Sequence, residues 1–160
     1  MTSNPDSRAF LRHAVATLSY RAGKAVRNAP ADFSGVRAAP DSRSAGEVLA
    51  HLGDLMDWAL TQAQGAQRWR DSPVQAWQVD CDRFFTALEA FDAYLASDEP
   101  LGTPAEQLFQ GAVADALTHT GQLALLRRLG GLPIKGENYA KADIVAGRVG
   151  VEQASPRFEF

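Results

Sequence analysis

The chain has 160 residues, 46% of them hydrophobic and 22% charged, with a formal net charge of -3. That composition suits one globular domain able to bury a core, and its faintly acidic balance excludes the basic footprint of a nucleic-acid binder. A lone cysteine, Cys81, rules out an internal disulfide framework and fits a cytoplasmic protein, while the absence of an apolar leader or of about 18 uninterrupted apolar residues argues against export and membrane insertion.

Four segments carry a helical period. The first is expected over Asp6 to Arg27, with Phe10, Ala14, Leu18, Ala22 and Ala25 recurring every three or four residues. Residues Asn28 to Arg43 hold Pro30, Gly35 and Pro40 with little periodicity and read as a long crossover. Helix two opens on a capping box, Ser44 with Glu47 three residues later, and runs to about Gln64. Its inward stripe is Val48, His51, Leu55 and Trp58, widened by Leu49, Leu52, Met56 and Leu60.

A polar link through Pro73 precedes helix three, whose seam is Trp77, Cys81, Phe84, Leu88, Phe91 and Leu95. Helix four is expected to start at Thr103-Pro104-Ala105-Glu106, threonine capping and glutamate completing a second box. It continues through Leu108, Ala112, Ala116, Leu123 and Leu126 to a stop at Gly130-Gly131, behind Arg127 and Arg128. The expected fold is therefore all-α: a four-helix bundle over about residues 6–130 with a long first crossover, and an irregular arm over about 131–160 wrapped on it, all one domain spanning 1–160.

The chemistry concentrates in helix four. Asp115 and His119 stand four residues apart, so one helical turn brings both onto the same face, and a neighbouring helix could bring His51 to them. Two imidazoles and a carboxylate make a three-ligand metal site. The neighbours Ala112, Ala114 and Ala116 offer Asp115 no counter-charge, so a buried carboxylate there calls for a cation, uncompensated burial costing several kcal/mol. The plainer readings stand beside this one: a mid-helix aspartate facing water and a hydrogen-bonded core histidine.

Other side chains have roles to weigh. Asp54 is a candidate fourth ligand, and more readily an outer partner of an imidazole or a surface group. Gln122 either lines the same cavity or bonds between helices, and Trp58 serves the core or a substrate wall. His13 is expected to be partly exposed, Trp69 to pack with Trp77 under the connecting loop, and Cys81 to be an inert buried thiol.

The runs Ser44-Ala45-Gly46-Glu47-Val48-Leu49-Ala50-His51-Leu52-Gly53-Asp54 and Asp115-Ala116-Leu117-Thr118-His119-Thr120-Gly121-Gln122 resemble the two signature regions of the DinB-like (DinB/YfiT) superfamily. The resemblance implies a four-helix bundle that holds a divalent metal through one histidine of helix two, matched by His51, and a His-x-x-x-His pair. His119 matches the last ligand, and Asp115 stands where the family more often has histidine. The stretch Gly136-Glu137-Asn138-Tyr139 through Ala142-Asp143-Ile144 also resembles a subgroup of the family, without an assigned chemistry.

Such a donor set suits zinc, nickel, manganese or ferrous iron and leaves a coordination position open. The implied function is a metal-dependent enzyme of hydrolase or thiol-dependent transferase type, acting on a small molecule, with a low-molecular-weight thiol as co-substrate in some relatives. The alternatives are a non-catalytic, metal-stabilised binding module and a vestigial site that has lost a ligand with the change to Asp115. Family bundles often pair, so a homodimer is expected, with no nucleic-acid or membrane partner.

Overall fold

Each helix forms where the chain supplies an apolar stripe at helical spacing, and each ends where that stripe does. A computed structural model of the protein describes residues 5–160; residues 1–4 of the expected domain lie outside the described residues. Helix α1 spans Pro5–Val26, α2 Ala45–Ala63 and α3 Trp77–Ala96. Helix α4 consists of Ala105–Leu108, a π-helical turn at Phe109–Val113 and then Ala114–Leu129, with helical backbone angles through both junctions. The fold is all-α, and among the described residues the only β feature is an isolated bridge between Glu137 and Glu159.

Helix α2 packs most broadly on α3, while α4 lies against both α1 and α2. Leu11, Leu18, Leu49, Leu52, Met56, Phe84, Leu88, Phe91, Leu108 and Leu123 are fully buried in the shared core, each contributing about 1.5–3 kcal/mol through lost apolar exposure. The seam expected for α3 is buried throughout. Cys81 lies in it, where burial, with Asp82 and Asp80, pushes the thiol up to about 12 and leaves it unreactive.

The start of α2 follows its local code: the Glu47 N–H donates to Ser44 Oγ at 3.1 Å and the Ser44 N–H to Glu47 Oε2 at 2.6 Å. The second capping box does not form. Thr103 Oγ1 instead donates to the Gln62 carbonyl at 3.0 Å, and Pro104 occupies the cap position. The C-terminal carbonyls of α2 compete for that hydroxyl because Gly102 packs directly on Gly65, its N–H donating to Ala63 O at 2.7 Å.

Two aromatic positions also differ from the helical pattern. Phe10, expected in the α1 stripe, is 63% exposed and meets Phe109 edge-on, while the buried face runs through Leu11, Ala14, Val15 and Leu18. Phe33, in the crossover, is buried against Trp77 within a short 3₁₀ turn at Ala31–Gly35.

The C-terminal arm is ordered without long helices, with a single 3₁₀ turn at Tyr139–Lys141. Its anchor is Glu137, buried on α1, which accepts from Tyr20 Oη at 2.7 Å and Lys24 Nζ at 2.8 Å. Lys24 also pairs with Glu159 at 2.9 Å, so both ends of the arm share one ammonium. Arg127, at the end of α4, donates to the carbonyls of Arg27 and Leu132, tying the α1 terminus to the start of the arm.

Candidate metal centre

Because α2 starts at Ala45 behind its Ser44 cap, His51 falls on its second turn, on the flank that meets α4. Asp115 opens the last stretch of α4, with His119 one turn further on. The three side chains converge. His51 Nε2 is 3.7 Å from Asp115 Oδ2, and His119 Nε2 is 3.5 Å from Asp115 Oδ1. The rings themselves meet edge to face, centroids 4.7 Å apart.

One donor atom from each residue lies within 4.8 Å of the other two, so the group could hold a metal ion. The two carboxylate separations are longer than ordinary hydrogen bonds. Donors at about 2.1 Å around one tetrahedral ion stand about 3.4 Å apart; the two imidazole–carboxylate separations lie near that value, each to a different Asp115 oxygen, while the span of one atom per residue reaches up to 4.8 Å and would close somewhat around an ion. The donor set suits a divalent cation in its chemistry.

Protonation favours ligation. Burial, followed by the charges of Arg43 and His119, holds the His51 pKa below its ordinary value, with Asp115 opposing. The ring is therefore neutral near pH 7 and offers a lone pair. His119 Nδ1 lies 2.7 Å from Gln122 Oε1. With the proton on Nδ1, donated to that oxygen, Nε2 is left as the acceptor facing Asp115.

Asp115 is not buried. Its side chain is 49% exposed, against 15% for His51 and 11% for His119, so no desolvation penalty demands a cation there. The convergence of three donors carries the reading instead, and the exposed carboxylate leaves the group open on one side.

The connecting segment between α2 and α3 builds a further wall. Trp69 meets His51 edge-on at 5.6 Å between centroids, and Trp58 at 5.8 Å. It does not pack with Trp77, which is spent on Phe33. Polar pins hold this segment down: Thr61 Oγ1 with the Arg68 N–H, Arg70 with Asp57 at 2.9 Å, the Ser72 N–H on Asp54 and the Gln75 N–H on Asp80. A polar linker with no period gives no sequence signal for Trp69, although Arg70 beside it is a basic residue available to the acids of α2 and pairs with Asp57.

Asp54 belongs to that scaffold. Its oxygens accept from Arg83 Nη1 and the Ser72 N–H, each at 2.9 Å, which accounts for its burial without either imidazole. The absence of a side chain at Gly53 leaves the space that the Arg83 guanidinium fills. Trp58 packs edge-on against Trp69, and its Nε1 is buried without a hydrogen-bond partner among the described residues. His13 is exposed on α1 and outside the cluster.

Compared with family models, curated proteins and solved structures, the chain finds no match. No described helix is long and apolar enough to cross a membrane.

Proposed function

We propose that the chain is a DinB-like four-helix bundle, a single domain with a long first crossover, working as a divalent-metal-dependent enzyme of hydrolase or thiol-dependent transferase type. The observation that carries this reading is the convergence of His51 Nε2, His119 Nε2 and the Asp115 carboxylate. Zinc, nickel, manganese and ferrous iron all suit the donors. A bound cation supplies Lewis acidity at an open coordination position.

The protein's own part is to hold that position and shape what reaches it. His51 presents a neutral nitrogen, Gln122 Oε1 against Nδ1 turns the Nε2 edge of His119 toward the cluster, and the Asp115 carboxylate stands at the solvent mouth. Trp69 screens one flank. The substrate is a small molecule, with a low-molecular-weight thiol as the co-substrate class, and neither nucleic acid nor membrane is a partner. The buried free thiol of Cys81 supports a cytoplasmic setting. The exposed Phe10, seated on Phe109, supports a homodimer, which sedimentation velocity would check.

The rival reading is a metal-stabilised binding module. Structural sites are closed and catalytic ones keep an open side, and the half-exposed Asp115 favours the enzyme. Elemental analysis of untagged protein, with melting before and after chelation, tests both. Retained metal whose removal leaves the fold intact supports the enzyme, and unfolding on removal supports the module. Failure to retain any transition metal overturns both.

A further inference from the structure

Two hollows flank the imidazole pair, and they differ in charge. One, of about 170 Å³, touches His51 and is lined by Glu47, Asp54 and Asp71. The other, of about 370 Å³, touches His119 and Gln122, and its lining contains no carboxylate. Arg43 stands at the rim of both. It is the only charged residue lining the larger hollow, and among the described residues it makes no hydrogen bond or ion pair.

The walls of the larger hollow are Ala38 from the crossover, Val48 from α2, and Leu125 and Leu126 from α4. Leu125 is half-exposed there, an apolar surface left uncovered beside an unpaired guanidinium. At the floor, Gln122 uses its Oε1 on His119, while its amide nitrogen has no acceptor among the described residues. Volumes of this size accommodate small molecules. A guanidinium presents a fork of donors matched to carboxylate or phosphate oxygens.

We infer that this hollow is the substrate's anchoring subsite: it takes a molecule with an apolar body and an anionic head, the body against Val48 and Leu125 and the head on Arg43 beside Gln122. The inference rests on the metal-centre reading for its link to catalysis and names the substrate class for that centre. Arg43 is here a binding and positioning residue. The smaller hollow is disfavoured for the head because its carboxylates would repel an anion.

The test is calorimetric titration of the full chain, freed of metal by chelator and then of the chelator, with octanoate, octyl phosphate and octylamine. Octanoate or octyl phosphate binding at least tenfold tighter than octylamine supports the subsite, and the tighter of the two anions identifies the head group. Arg43→Gln should weaken the anion at least fivefold and Arg43→Lys much less, while Leu125→Asn should weaken both anions by a similar factor. Equal binding of octylamine, or anion affinity unchanged in Arg43→Gln, overturns the inference. Zinc retention, followed separately by equilibrium dialysis, should be unaltered in Leu125→Asn, which leaves the charges around His51 in place, and lost in His119→Ala, so failure of the metal centre is distinguishable from failure of the subsite.

Discussion

Gln122 Oε1 lies 2.7 Å from His119 Nδ1, one helical turn away on α4, and thereby aims the opposite ring nitrogen at Asp115. A backbone turn of a single helix thus sets both a candidate ligand and the partner that orients it.

Removing that partner should weaken the centre without abolishing it. Gln122→Ala is expected to lower zinc affinity about 10- to 100-fold, the usual effect of losing an outer hydrogen bond to a ligating histidine. His51→Ala and His119→Ala should each eliminate stoichiometric retention. Equilibrium dialysis with zinc measures all three, and a Gln122→Ala protein that binds like the parent would contradict the assigned tautomer.

The lowered pKa of His51 fixes a direction for pH dependence in the metal-free protein. A proton binds this ring more readily in the unfolded chain, so its contribution to stability is present above about pH 6.5 and is lost as pH falls through the lower folded value. Thermal midpoints should fall between pH 7.5 and pH 5, and His51→Gln should make that fall shallower. A slope unchanged by the substitution would show that the ring is not held neutral by its surroundings. Metal binding should weaken over the same acid range, because protons compete for the same nitrogens.

The arm depends on Lys24. Its amine is drawn two ways, burial opposing the charge while the hydrogen bonds it donates to Glu137 and Glu159 outweigh it and raise the pKa. Lys24→Met leaves the buried Glu137 carboxylate with Tyr20 alone and should cost about 3–5 kcal/mol in denaturant unfolding. The double change Lys24→Met with Glu137→Leu should recover much of that loss, since an apolar pair needs no desolvated charge. If the single change is silent, Glu137 does not anchor the arm.

Trp69 provides an optical reporter. Its ring lies 5.6 Å from His51, whereas Trp77 is packed on Phe33. Nickel or cobalt should quench tryptophan emission while zinc leaves it nearly unchanged, and Trp69→Phe should remove most of the quenching. Full quenching in that variant would place the ion away from His51.

The helices and their stripes were legible because their causes are local. Ser44 and Glu47 meet within one turn, and the α3 seam from Trp77 to Leu95 needs only a regular period and one neighbour to cover it. Asp115 and His119 share a face for the same reason. The meeting of His51 with that pair depends on how α2 lies against α4, and spacing along the chain permits it without requiring it.

Where longer-range competition acted, local reasoning went astray. Thr103 had a cap to make and gave its hydroxyl to a carbonyl at the end of α2, while Phe10 kept its place in the period but lay on a flank that α4 only edges with Phe109, leaving it exposed. Trp69 reached His51 only because Asp54, Asp57 and Asp80 bind the backbone and side chains around it. Propensity and capping act across a turn or two of one helix and are written in adjacent residues. Burial, pairing and exposure belong to surfaces brought together from distant parts of the chain, so the half-open carboxylate and the wall beside it emerged only when the helices had packed.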